Sequence, residues 1–369
     1  MRDFKSYKKI VIKIGSALSI DPETYEFRNE WLKSLFADIA KLREDGSEVV
    51  LVTSGSVASG CRELNIKRQD LSLTDMHAVA SYGQTFLIDH LRSLAQQNNL
   101  KIAQVLITSD DCQSRMRYLN TRNTLKRIFN FDLVPVINEN DAVVTDEIRF
   151  SDNDFLSSRV VQLINADLLI ILSDVAGLYD KNPKLHKDAK SIKLVKKFTD
   201  DLFELAQEDV LSLGTGGMKS KLNAAKVANK SGCDTLITSG KVLNPLSSYL
   251  KRKEGTLFKA QTDSPSAWKS WVLSLRTCGG VIIDAGAVSA LKRGKSLLPV
   301  GIKATKGRFR CGDPVSIMSE SGKKIACGLV TFDVKEVDKI KGNKSEDLAK
   351  ILGYPCKSVV VHADDLCLL

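Results

Sequence analysis

No run of eighteen apolar residues occurs in the 369-residue chain, so a membrane-spanning helix is not expected. The opening "MRDFKSYKKIVIKIGS" passes from charged residues straight into a short β-like stretch without a cleavage pattern, so no secretory signal is indicated. Eight cysteines are present (Cys61, Cys112, Cys233, Cys278, Cys311, Cys327, Cys356 and Cys367), none in a C-x-x-C pair. That spacing argues against a zinc site and against a disulfide framework, and fits a reducing cytoplasm. Nothing reads as disordered: with 43% hydrophobic residues the chain can bury a sizeable core, and its length suggests two domains.

The +10 net charge is spread unevenly. From Gly279 to Leu369 there are fifteen Lys or Arg against ten Asp or Glu, a net of +5 in the last quarter. Between Asp284 and Asp313 lie Lys292, Arg293, Lys295, Lys303, Lys306, Arg308 and Arg310 with no acidic residue. Such a stretch can track a phosphate backbone or form a solvated basic face.

Up to about residue 260 strand-like and helix-like segments alternate. "KKIVIKIG", "EVVLVTSG", "KIAQVLIT", "DLVPVIN", "ADLLIILSD" and "CDTLITSG" read as buried strands, and "RNEWLKSLFADIAKLRED" has helical periodicity that stops at Gly46. Hydrophobic strands separated by helices predict a mostly parallel sheet covered on both faces, an α/β fold. After the polar "QTDSPS", Gln261 to Ser266, short strands and Gly-rich turns such as "GGVIIDAG" and "RCGDPVSIM" predict a small β-barrel-like module. The boundaries expected are residues 1–260, a linker over 261–278, and 279–369.

In an open parallel sheet ligands sit beyond the carboxyl ends of the strands, and several of those ends are polar here. Strand one carries Lys13 between Ile12 and Ile14. An edge strand would let its ammonium reach water, whereas in a central strand it needs an anionic partner. "VTSGSVASG" presents Thr53, Ser54 and Gly55; "PVINENDAV" presents Asn138, Glu139, Asn140 and Asp141; "LLIILSDVAGLY" presents Ser173, Asp174 and Gly177. Helix caps and turns also use Ser, Thr and Asp in this way. "GTGGMKSK", Gly214 to Lys221, is more specific: glycines let a ligand approach the backbone, and lysines at a helix start oppose its dipole unless an anion is near. Its spacing matches neither G-x-x-x-x-G-K-[ST] nor G-x-G-x-x-G, so it suggests a nucleotide in another fold.

Together "VIKIGS", "VTSGSVASG", "NTRNTLKRIFN", "VPVINENDAV", "SDNDFLSS", "LLIILSDVAGLY" and "GTGGMKSKLNAA" resemble, in the same order, segments of the glutamate 5-kinases of the amino-acid-kinase family. From about Gly279 the chain resembles the PUA domain, an RNA-binding module. The resemblance implies an amino-acid-kinase-type sheet followed by a PUA domain in a cytoplasmic enzyme. It implies phosphoryl transfer from ATP, with Mg²⁺, to L-glutamate. By similarity Lys13, Lys221 and Asp154 are catalytic, with Asp154 holding the two lysines. Ser54, Asp141 and Asn153 would bind glutamate, and Lys13, Ser173, Asp174, Thr215, Gly216, Gly217, Met218, Lys219, Ser220 and Lys221 would bind ATP. No protein metal ligand is implied. The resemblance also implies a homo-oligomer (dimer or tetramer) inhibited by proline, and allows RNA as a partner of the PUA domain. Two positions depart from the family pattern, Ser173 where threonine is common and Ser151 where glycine precedes "DND". The alternatives are a protein led by an RNA-binding or RNA-modifying PUA module, or a kinase for N-acetylglutamate or aspartate.

Overall fold

A computed structural model describes residues 3–144, 152–181, 183, 185–186, 188–199, 201–205, 217–260 and 267–369. The chain divides into two compact units, Met1–Cys112 with Arg117–Ser264, and Gln113–Met116 with Pro265–Leu369.

The first unit is built on strands β1 (Lys9–Ile14), β2 (Glu48–Val52), β3 (Ile102–Ile107), β4 (Val134–Glu139), β5 (Leu168–Ser173), β6 (Leu194–Val195), β7 (Asp234–Ser239) and β8 (Gly255–Phe258). They form one sheet in the order β3-β4-β2-β1-β5-β7-β8-β6. Every pairing is parallel except β7 with β8. β1 is therefore central, and its Lys13 is in register with Val52 of β2 and Ile171 of β5. The aliphatic runs follow from burial on both faces, which rewards branched residues at every position rather than at alternate ones. On one face Ile10, Ile12 and Ile14 join a core with Leu32, Leu35, Phe36 and Ile39 of the helix Asn29–Glu44 and with Leu87, Leu91 and Leu94 of the helix Leu73–Gln96. The three- and four-residue spacing of those leucines is what makes each helix lay one stripe on the sheet. Ser72 and Asp75 start the longer helix with a reciprocal capping box.

Between β2 and that long helix runs the helix Ser56–Leu64, entered through Gly55 at φ +117°. The backbones of the two helices approach closely at two glycines. A Cβ on Gly60 would lie 2.2 Å from the Val79 carbonyl oxygen, and one on Gly83 2.0 Å from that of Ser56. On the sheet's other face lie the helix Asn153–Ile164, packed on β1 and β5, and the helix Met218–Lys230, packed on it and on β7.

The second unit contains β9 (Gly279–Ile283), β10 (Ile302–Gly307), β11 (Pro314–Ser319), β12 (Lys324–Val330) and β13 (Val361–Leu368), ordered β10-β9-β11-β12-β13. Only β9 with β11 is parallel. It encloses a separate core of Val281, Ile283, Val315, Ile317, Phe332 and Val361, among others. Within the stretch expected to be linker, "QTDSPS" lies outside the described residues, while Ala267–Ser274 is a helix. Trp271 and Val272 on that helix are fully buried in this unit, and the Cys327 thiol lies 3.6 Å from the Val272 carbonyl oxygen. Burial of the indole gives this short helix a structural reason.

Candidate active site

Parallel pairing brings the carboxyl ends of β1, β2, β4, β5 and β7 to one edge of the first unit. Lys13 projects from the penultimate residue of β1, away from the face that Ile12 and Ile14 bury. Asp154 sits in the first turn of the helix Asn153–Ile164, and Lys221 one turn into the helix Met218–Lys230. These three residues, far apart in sequence, meet. Lys13 Nζ lies 2.6 Å from Asp154 Oδ1 and Lys221 Nζ 3.0 Å from Oδ2.

Asp154 is completely buried and both lysines are 7% exposed. Burial alone pushes the Asp154 carboxyl upward, but the two ammonium groups outweigh it and hold the carboxyl below its usual value of 3.8. It therefore stays ionised. One carboxylate shared by two cations leaves the constellation positive, at the amino-terminal ends of two helices whose dipoles have the same sign. Such a place suits an incoming anion.

Beside it is a chain of amides and hydroxyls. Asn153 Nδ2 donates to the Thr53 carbonyl (2.6 Å), to Ser54 Oγ (2.9 Å) and to Asn138 Oδ1 (3.0 Å). Asn138 Nδ2 in turn donates to Gln84 Oε1 at 2.9 Å. Asp141 lies within "NENDAV", just past the end of β4, where its Oδ2 accepts from Ser56 Oγ at 3.0 Å. Asn140 and Asp141 also line a cleft of about 560 Å³ together with Gln84, Thr85 and Glu139. The structure thus brings Ser54 and Asn153 into direct contact and sets Asp141, in a turn, against Ser56 at the start of the neighbouring helix.

On the other side of the two lysines, the Ser173 hydroxyl at the tip of β5 donates to Asp174 Oδ1 at 3.1 Å. The serine keeps the hydroxyl that threonine would have supplied. Gly217 caps the helix Met218–Lys230, with Met218 buried and Lys219 exposed. Thr215, Gly216 and Ser151 lie outside the described residues. Ser220 donates its hydroxyl to Asp152, which also caps the helix Asn153–Ile164 by accepting from the Phe155 amide at 2.9 Å. One carboxylate thereby ties the starts of two helices together.

Asp152, Asn138 and Gln84 have no role assigned from the sequence. The first two carried a signal, as members of the Asn- and Asp-rich run of "NENDAV" and "SDND" that reads equally well as a polar loop or as part of a site. Gln84, one polar residue among several on a long helix, carried none. Among the described residues no three His, Cys, Asp or Glu side chains group as metal ligands.

The amino acid kinase family model matches residues 8–239. The chain belongs to the amino acid kinase family. A PUA domain model matches residues 279–352, and the strand-rich second unit carries that stretch. Along its length this amino acid kinase is 45% identical to glutamate 5-kinase from Bartonella henselae, covering 98% of this chain and 96% of that protein. It is 42% identical to glutamate 5-kinase from Brucella ovis, over 99% and 97%. Carbamate kinase from Giardia lamblia bound to AMP-PNP aligns with 70% of this chain and 100% of that one, at 16% identity and a TM-score of 0.49, too distant to bear on the site.

Proposed function

We propose that this chain is a glutamate 5-kinase, transferring the γ-phosphoryl group of ATP to the side-chain carboxylate of L-glutamate to give L-glutamyl 5-phosphate and ADP, the first step of proline biosynthesis. The observation that carries the reading is the buried Lys13–Asp154–Lys221 constellation at the strand ends, in a chain similar over nearly its whole length to proteins named glutamate 5-kinase.

Phosphoryl transfer to a carboxylate brings two anions together, so the chain must mostly position them and offset their charge. Lys13 and Lys221 do this by placing ammonium groups where the transferring phosphoryl passes. Asp154 keeps the two cations side by side when no substrate is present and fixes their side chains. Glutamate lies along Ser54, Asn153 and Asp141, with Asp141 facing its α-ammonium. ATP lies toward Ser173, Asp174 and the segment from Thr215 to Lys221. Mg²⁺ would arrive with the nucleotide and supply further charge neutralisation, while the two oxygens of Asp154 stay engaged by the ammonium groups of Lys13 and Lys221.

A hydroxylamine-trapping assay with ATP and Mg²⁺ tests the reading. Glutamate should give hydroxamate, and N-acetylglutamate and aspartate should give little. Equal product with N-acetylglutamate, which has no ammonium, would remove the purpose of Asp141 and overturn the substrate assignment. The further readings, a homo-oligomer inhibited by proline and working in the cytoplasm, rest on the resemblance to glutamate 5-kinases. RNA is a partner of the PUA domain only if the basic stretch from Lys292 to Arg310 is used for it.

A further inference from the structure

We infer that Gln84, on the helix Leu73–Gln96, is a positioning residue for glutamate that acts through Asn138; this rests on the glutamate site proposed above. Amides are directional: the oxygen only accepts and the nitrogen only donates. The two hydrogens of the Asn153 amide nitrogen are shared among Ser54 Oγ, the Thr53 carbonyl and Asn138 Oδ1. Asn138 must therefore turn its oxygen toward Asn153, and its own nitrogen then needs an acceptor on the opposite side. Gln84 Oε1 is that acceptor, at 2.9 Å.

Without it Asn138 would keep the bond from Asn153 but lose the acceptor that its own nitrogen has in this orientation. A flipped Asn138 would oppose two amide nitrogens, both donors, and Asn153 would lose one of the partners that hold it against Ser54. Gln84 and Asn138 are 8% and 3% exposed, so water is a poor substitute for the missing acceptor. The residue before Gln84 explains how a helix side chain gets there. Gly83 lets the helix backbone come so close to the helix Ser56–Leu64 that a Cβ would strike the Ser56 carbonyl and the Gly60 nitrogen, which brings Gln84 within reach of the tip of β4. The same side chain lines the cleft that Asn140 and Asp141 share.

The test is steady-state kinetics on the full chain with glutamate and ATP varied in turn. Gln84→Met keeps the volume and removes the acceptor, leaving a buried donor of Asn138 unsatisfied. It should raise the glutamate KM about tenfold while the ATP KM stays within about twofold, the size expected for one unsatisfied buried group. Because Gln84 acts through Asn138, the double variant Gln84→Met/Asn138→Ala should be no worse in glutamate KM than Asn138→Ala alone. Gln84→Asn, which keeps the amide but withdraws it by one methylene, carries the same expectation if Gln84→Met does not fold. An unchanged glutamate KM in a folded variant, an equal rise in both KM values, or effects that multiply in the double variant would each overturn the inference. If the unaltered chain makes hydroxamate from glutamate and Gln84→Met does so equally well, only the role of Gln84 falls. If the unaltered chain makes none, the glutamate site falls with it.

Discussion

Replacing Asp154 by asparagine removes one charge and almost no volume, and it should damage stability and catalysis together. The carboxylate has no exposure and holds two ammonium groups at 2.6 and 3.0 Å. At an effective dielectric of about 20 each contact is a gross attraction of about 6 kcal/mol, most of it offset by the cost of desolvating the ions. The net loss on removing one partner of a buried pair is about 3–5 kcal/mol, and with two cations left facing each other the upper end applies. For a unit of this size that is a fall in Tm of about 10 °C or more.

The pH dependence has a definite sign. A carboxyl held below its usual value contributes stability that is complete above pH 3.8 and is lost as the pH falls through its lower folded value. The stability gap between the unaltered chain and Asp154→Asn should thus be constant from neutral pH down to about pH 4 and close only below that. Urea denaturation at a series of pH values reads the gap, and hydroxamate formation reads kcat. A variant within about 1 kcal/mol of the unaltered chain at pH 7, or a gap that closes between pH 7 and 5, would refute the picture of an ionised, two-cation carboxylate.

Lys13→Ala and Lys221→Ala should each lower kcat by roughly 10² to 10³, measured with saturating glutamate and ATP; near-normal kcat would remove that lysine from phosphoryl transfer. Asp141→Asn should raise the glutamate KM about thirtyfold and leave the ATP KM unchanged, since a desolvated charge pair is worth about 2–5 kcal/mol. If it is the ATP KM that climbs, Asp141 belongs to the nucleotide side. A chain ended after Ala260 should keep measurable kinase activity, because the two units have separate cores and the proposed catalytic residues all lie in the first. One ended at Cys278 should be less soluble, having kept Trp271 without the sheet that buries it. Gly83→Ala should cost about 3 kcal/mol or more in denaturant unfolding, as an added methyl group has only backbone to displace.

Much of the first unit could be read in advance because its central strands are buried on both faces and so carry unbroken aliphatic runs. "KKIVIKIG" and "LLIILSD" are β1 and β5. Lys13 could be singled out for the same reason, as a charge inside such a run that burial requires to be partnered. The partnership with Asp154 and Lys221 came from resemblance, since nothing in spacing joins positions 13, 154 and 221. Where the physical cause is tertiary, the sequence was silent. The two-residue β6 and the reversed β8 are too short or too ordinary to show direction. The helix Ala267–Ser274 is barely two turns long and directly follows "QTDSPS", and what makes it a helix is the sheet it lies on. Gln84 matters only because of what stands opposite it.

The meeting of Gly60 with Gly83 also constrains how such a chain can change over generations. At each of these positions the space a side chain would occupy is filled by the backbone of the opposite helix. A larger residue at either one must therefore wait for the helices to move apart. No single substitution leads out of this arrangement without passing through a poorer protein. The two glycines are in that sense entrenched, and drift in this region is channelled to the outward surface of the long helix, where a change meets solvent instead of a neighbour.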